Sequence, residues 1–127
     1  MSTQVLETVS FANSELRIHM SHFDGDTHLS VICPDFDGEH LQAELTIHHP
    51  AADDSLNVVI PWNRQTFQFT AKHHTLPTTG TVKIGNRRYT FNEEESYSVL
   101  DYGRGIWPRE ATWNWGMASQ RMRGRRI

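Results

Sequence analysis

The chain has 127 residues, 37% of them hydrophobic and 21% charged, and a net charge of −3. That is one domain's worth of chain, with the composition of a globular rather than a disordered protein. It contains no apolar run of the roughly 18 residues that a membrane-spanning helix needs, and its start, MSTQVLETVSFANSEL, lacks the basic-then-apolar pattern of a secretory leader, so the expected location is cytoplasmic.

Period-two hydrophobic alternation runs through the chain, and no segment carries a helical period. A first strand places Leu16, Ile18, Met20 and His22 on one face, and a second does the same with Leu29, Val31 and Cys33. Leu41, Ala43, Leu45, Ile47 and His49 form the longest alternating set. SLNVVIPW reads as a more buried strand over 56–62, and Phe67, Phe69, Ala71 and His73 alternate again. Val82 with Ile84 and Tyr89 with Phe91 pair as a hairpin across a Gly-Asn turn. Tyr97, Val99 and Asp101 form the next strand, and Trp113, Trp115 and Met117 the last. The turns agree, because FDGDTH and PDFDGEH carry the Asp-Gly pairs that tolerate positive φ. HPAADDS and HTLPTTG read as longer loops, and Glu93 to Glu95 as a solvated turn. About nine strands at roughly ten-residue spacing predict an all-β antiparallel meander, hence a sandwich or a barrel or part of one, and closure into a barrel would remove the exposed edges.

Three histidines, His22, His49 and His73, lie in phase with the apolar faces, each at a strand end. Three imidazoles can hold a zinc ion, so they are the candidate metal ligands, although no short spacing such as H-x-H supports the role. The alternative is that they mark where a buried strand meets its solvated rim, and no metal or other cofactor is assigned. Adjacent His48–His49 and His73–His74 point to opposite faces and cannot chelate one ion together. Cys33, the single cysteine, excludes an internal disulfide and agrees with a reducing compartment. With no activating neighbour it reads as a small buried apolar residue rather than a nucleophile. No G-x-S-x-G, phosphate-cradling or dinucleotide motif is present.

Charge is uneven. Residues 1–103 carry 14 acidic and 6 basic side chains, whereas 104–127 carry six Arg and one Glu. Without Lys in that tail or a nucleic-acid fold signature, no nucleic-acid partner is assigned. The chain stops on Ile127 after an Arg-rich run with no turn, which suggests a piece of a longer protein.

The densest stretch is DYGRGIWPREATWNWGMASQ, residues 101–120. Asp101 is in phase with Tyr97 and Val99, so it faces inward and needs a cation. Arg104 and Arg109 are the nearest in sequence. Gly103 and Gly105 allow a sharp turn around Arg104, and Pro108 stiffens its far side. Trp113 and Trp115 share a face, Asn114 takes the other, and Trp107 sits inside the loop. Two readings stand: an aromatic plug held by packing and cation–π contact, or a pocket with indole walls and a few oriented polar groups.

YSVLDYGRGIWPREATWNWGMASQ followed by RGRRI resembles the uncharacterised, mostly bacterial family DUF2804, most specifically over residues 97–127. That family is similar to the lipocalin-like (calycin) group of carotenoid hydratases and tocopherol cyclases, which look like two tandem antiparallel barrels that bind hydrophobic molecules. The resemblance implies that residues 1–127 are a single β-domain from a longer two-barrel protein. It also implies a binding module for a hydrophobic or amphipathic small molecule, a lipid or isoprenoid. The candidate site is Asp101, Arg104, Trp107, Arg109, Trp113, Asn114 and Trp115. The alternatives are a cofactor-free hydratase, cyclase or isomerase with Asp101 as the acid, and a purely structural half of a barrel pair.

Overall fold

The computed structural model describes residues 8–51, 55–116 and 118. Every regular element among them is a strand: β1 (Val9–Ala12), β2 (Arg17–Phe23), β3 (Asp26–Phe36), β4 (Glu39–Ile47), β5 (Ser55–Pro61), β6 (Phe67–Ile84), β7 (Arg87–Phe91) and β8 (Tyr97–Ile106). The registered pairs are all antiparallel, as the alternation predicts. No helix among the described residues is long and apolar enough to cross a membrane. Contacts divide the chain into two units, the first made of residues up to 53 with 76–98 and the second of 54–75 with 99–127.

The first unit is a meander in the order β1, β2, β3, β4, the C-terminal part of β6, then β7. Its turns follow from the Asp-Gly pairs. Asp24 and Gly25 take φ of 52° and 86°, and Asp37 and Gly38 take 55° and 82°. Positive φ at both central residues makes each a two-residue turn whose twist matches the flanking strands. The register then sorts the side chains. One face carries the rows Val9, Met20, Leu29, Leu45, Gly80, Phe91 and Phe11, Ile18, Val31, Ala43, Val82, Tyr89. The other carries Ser10, His19, Ser30, Glu44, Thr81, Thr90. This is the alternation of an antiparallel sheet with one apolar and one polar side. Ala43, Ile47 and Leu76 are its buried apolar residues, and Thr27 and Thr78 its buried hydroxyls. Cys33 departs from the expected burial. It is half-exposed beside the register shift between Cys33 and Phe36, and its Sγ lies 3.3 Å from the Asp35 carbonyl oxygen.

The second unit sets the N-terminal part of β6 between β5, registered from Ser55↔His73 to Pro61↔Phe67, and β8. Ala71, Thr70 and Lys72 are buried there.

Four elements differ from expectation. Gly103 to Gly105 form no sharp turn around Arg104 but continue β8 to Ile106. β1 is an additional strand; four residues are too few to show a period, and its pairing with β2 defines it. HTLPTTG is not a loop but the middle of an 18-residue β6. Pro77 is tolerated because only its carbonyl is needed, accepting from the His48 N–H at 2.9 Å. Gly80 is required because β4 passes so close that a Cβ would stand 2.1 Å from the Glu44 carbonyl oxygen. Finally, Trp113 and Trp115 lie in irregular backbone, not a strand, while Met117 falls outside the described residues.

Gly80 therefore yields a direct test. Its φ is +130°, so an added methyl meets both an unfavourable backbone conformation and the β4 backbone. Gly80→Ala is expected to cost about 2 kcal/mol or more, read as a lower urea midpoint by circular dichroism.

Candidate functional site

The site is built where β8 runs against β6. Gly105 permits that approach, since a Cβ there would lie 2.1 Å from the Phe67 carbonyl oxygen. Lys72 of β6 is the interior charge of this unit. Its side chain is 10% exposed, and its Nζ donates to Oδ2 of Asp101, whose side chain is 45% exposed. The Trp115 indole covers the same ammonium, with the ring centroid 3.9 Å from Nζ. Buried aliphatic stem, carboxylate and π face together make the burial of a cation tolerable.

This corrects the expected charge partner of Asp101. The cation is Lys72, 29 residues earlier, and neither Arg104 nor Arg109. Nor is Asp101 enclosed, because it approaches the interior ammonium from a half-exposed position. The Arg104 guanidinium instead stands over the Phe69 ring at 5.3 Å, and Phe69 meets Tyr102 edge-on with centroids 6.3 Å apart. Lys72 was recognisable in principle. It is one of only two Lys in the chain, and an inward Asp requires a cation. Sequence distance hid it, because only the β6–β8 pairing brings the two together.

Trp113 and Trp115 also part company. Irregular backbone releases them from a shared face, so Trp115 packs on Lys72 while Trp113 lines an open groove of about 300 Å³ with Trp107, Pro108, Arg109 and Ala111. Trp107 is 42% and Trp113 54% exposed, so neither indole is packed shut. Asn114 is exposed between the two tryptophans. The groove thus offers two indole walls and one guanidinium.

The histidines are distributed otherwise. His22 and His49 meet at Thr27, whose Oγ1 lies 2.9 Å from His22 Nδ1 and 2.9 Å from His49 Nε2. One imidazole accepts the hydroxyl proton and the other donates to its oxygen. His73 belongs to the second unit, opposite Ser55. No group of three or more His, Cys, Asp or Glu among the described residues could hold a metal ion. Thr27 was not anticipated, and a threonine on an apolar face opposite an in-phase His is the signal that marks it.

Two outcomes follow. Burial lowers the His22 pKa from its ordinary 6.5. The unfolded chain therefore binds the proton more readily, so the stability contributed by burying neutral His22 is complete above about pH 6.5 and is lost as pH falls through the lower folded value. In addition, when both imidazoles carry protons, the buried Thr27 hydroxyl has neither as acceptor. His22→Gln is expected to flatten this acid-side loss, measured as urea midpoint against pH. Separately, Asp101→Ala leaves the Lys72 ammonium without its carboxylate. A loss on the order of 1 to 2 kcal/mol is expected, less than for a fully buried pair because Asp101 is half-exposed; Lys72→Met in that background should recover much of it, as a double-mutant cycle would show.

The family model described as Domain of unknown function (DUF2804) covers residues 1–127. No curated protein and no solved structure matches the chain.

Proposed function

Because the chain belongs to the DUF2804 family, whose description assigns no activity, we propose a function from the groove itself: it binds an amphipathic small molecule, apolar body against Trp107 and Trp113 and acidic head toward Arg109. The observation that carries this reading is the division of labour between neighbouring tryptophans. Trp115 stacks on Lys72, whereas Trp107 and Trp113 border an open volume of about 300 Å³, and all three indoles are about half-exposed. That volume lies at the lower end of small-molecule sites, and indole walls with one oriented charge are their usual composition. A plug alone would leave the indoles packed against protein.

Pro108 holds the loop between Trp107 and Arg109, so the wall and the charge are presented together. An isoprenoid or fatty acid carrying a carboxylate meets both. A neutral isoprenoid alcohol meets only the walls, so the pair of ligands separates the two contributions.

Titration of intrinsic Trp fluorescence with a long-chain fatty acid and with an isoprenoid alcohol tests the proposal. The wild-type chain is expected to bind the acid more tightly. Trp113→Ala should weaken both ligands by about tenfold with an unchanged circular dichroism spectrum, and Arg109→Gln should weaken only the acid. A folded wild-type chain that binds neither ligand, and from which mass spectrometry recovers no co-purified lipid, would sink the reading.

A further inference from the structure

The polar face of the first unit holds a relay that the groove does not use. Asp26 opens β3, His48 follows β4, and Thr79 lies in β6, so three distant segments converge. Asp26 Oδ2 stands 2.8 Å from His48 Nδ1, and Thr79 Oγ1 stands 3.2 Å from His48 Nε2. A carboxylate only accepts, so the hydrogen sits on Nδ1, and the neutral ring leaves Nε2 as an acceptor aimed at the Thr79 hydroxyl. The His48 backbone is held by its own N–H to the Pro77 carbonyl at 2.9 Å. Asp26 and His48 are each 31% exposed at the side chain, so the relay is sheltered yet reachable.

The neighbouring row adds to this. Ser21, His28, Thr46 and Thr79 stand in cross-strand register. Thr46 is directly opposite Thr79, with Cβ atoms about 5 Å apart in such a pair, and its Oγ1 lies 3.2 Å from His28 Nδ1. The row offers hydroxyls and an imidazole but no Lys or Arg. It suits a neutral carbonyl rather than a phosphate ester.

We propose that this relay is an acyl-transfer site for a small neutral carboxylic ester, with Thr79 as nucleophile, His48 as general base and Asp26 as the residue that orients the imidazole. Thr79 Oγ1 attacks the carbonyl carbon as its proton passes to His48 Nε2, and the carbonyl π pair moves onto oxygen, where the Thr46 hydroxyl donates to it. The pair returns to re-form the carbonyl and expels the alkoxide, which takes the proton from Nε2. Water, activated by the same nitrogen, then attacks the acyl-threonine, releasing the acid and restoring Thr79. The requirements are those of any nucleophile–base–orienter arrangement, recognised by geometry and roles. The His22–Thr27–His49 bridge is the internal contrast, since its hydroxyl is fully buried.

The test uses p-nitrophenyl acetate with the whole chain, following nitrophenolate release and mapping the acetyl group by peptide mass spectrometry. Acetylation is expected at Thr79 and not at Thr27. Release should fall at least about tenfold in Thr79→Val and His48→Gln, and survive in Thr79→Ser. Asp26→Asn should lower it, and Asp26→Glu should restore it in part, a rescue that loss of a merely structural bond would not produce. Val matches Thr in shape and in strand preference, so the key variant keeps the sheet; circular dichroism checks this. A folded wild-type chain with no acetyl group on Thr79, or a folded Thr79→Val that releases nitrophenolate as fast as wild type, overturns the proposal.

Discussion

Backbone hydrogen bonding to β6 is the constraint on which both units depend. A strand inside a sheet must satisfy donors and acceptors along both edges. From Thr78 to Ile84, β4 supplies one edge, and β7 supplies the other from Gly80. From Phe67 to His73, β5 is registered on β6, and β8 also pairs with it. The sequence of β6 is adapted to these neighbours. Gly80 of β6, like Gly105 of the facing β8, is placed where a side chain would strike a facing backbone, and Pro77 stands where only a carbonyl is used. Residues that resemble breakers in isolation thus stand inside a strand.

The second constraint is electrostatic. Burying Lys72 demands a counter-ion and favours a π face, and β8 with the loop after it provides both in Asp101 and Trp115. That requirement ties the start of the tryptophan-rich stretch to its end. It also divides the stretch, since the Trp115 indole covers the ammonium while Trp107 and Trp113 border the groove. Arg109, which is not the counter-ion of Asp101, lines that groove.

In the first unit, the pleat separates chemistry that adjoins in sequence. His48 and His49 are neighbours in the chain, yet one meets Asp26 and Thr79 and the other meets Thr27. Opposite orientation of successive residues, together with two antiparallel registers, turns one dipeptide into parts of two separate networks. Burial at the Thr27 bridge couples folding to proton release from His22, while the Asp26 and His48 side chains of the other network stay part-exposed.

Much of this was legible in the chain itself. Period-two alternation marked most of the strands, their apolar and polar faces and the opposite phases of His48 and His49, because side-chain direction in a strand depends only on local geometry. Asp-Gly and Gly-Asn pairs determined the hairpin turns, because few residues adopt positive φ cheaply. What tertiary structure alone decided were the partners: Lys72 for Asp101, Thr27 for His22 and His49, Asp26 and Thr79 for His48. It also decided that HTLPTTG is strand and that Trp113 and Trp115 diverge. Each of these turns on which distant segment lies alongside. Strand register sets that through backbone pairing and close approach, and neither leaves a periodic mark in the sequence.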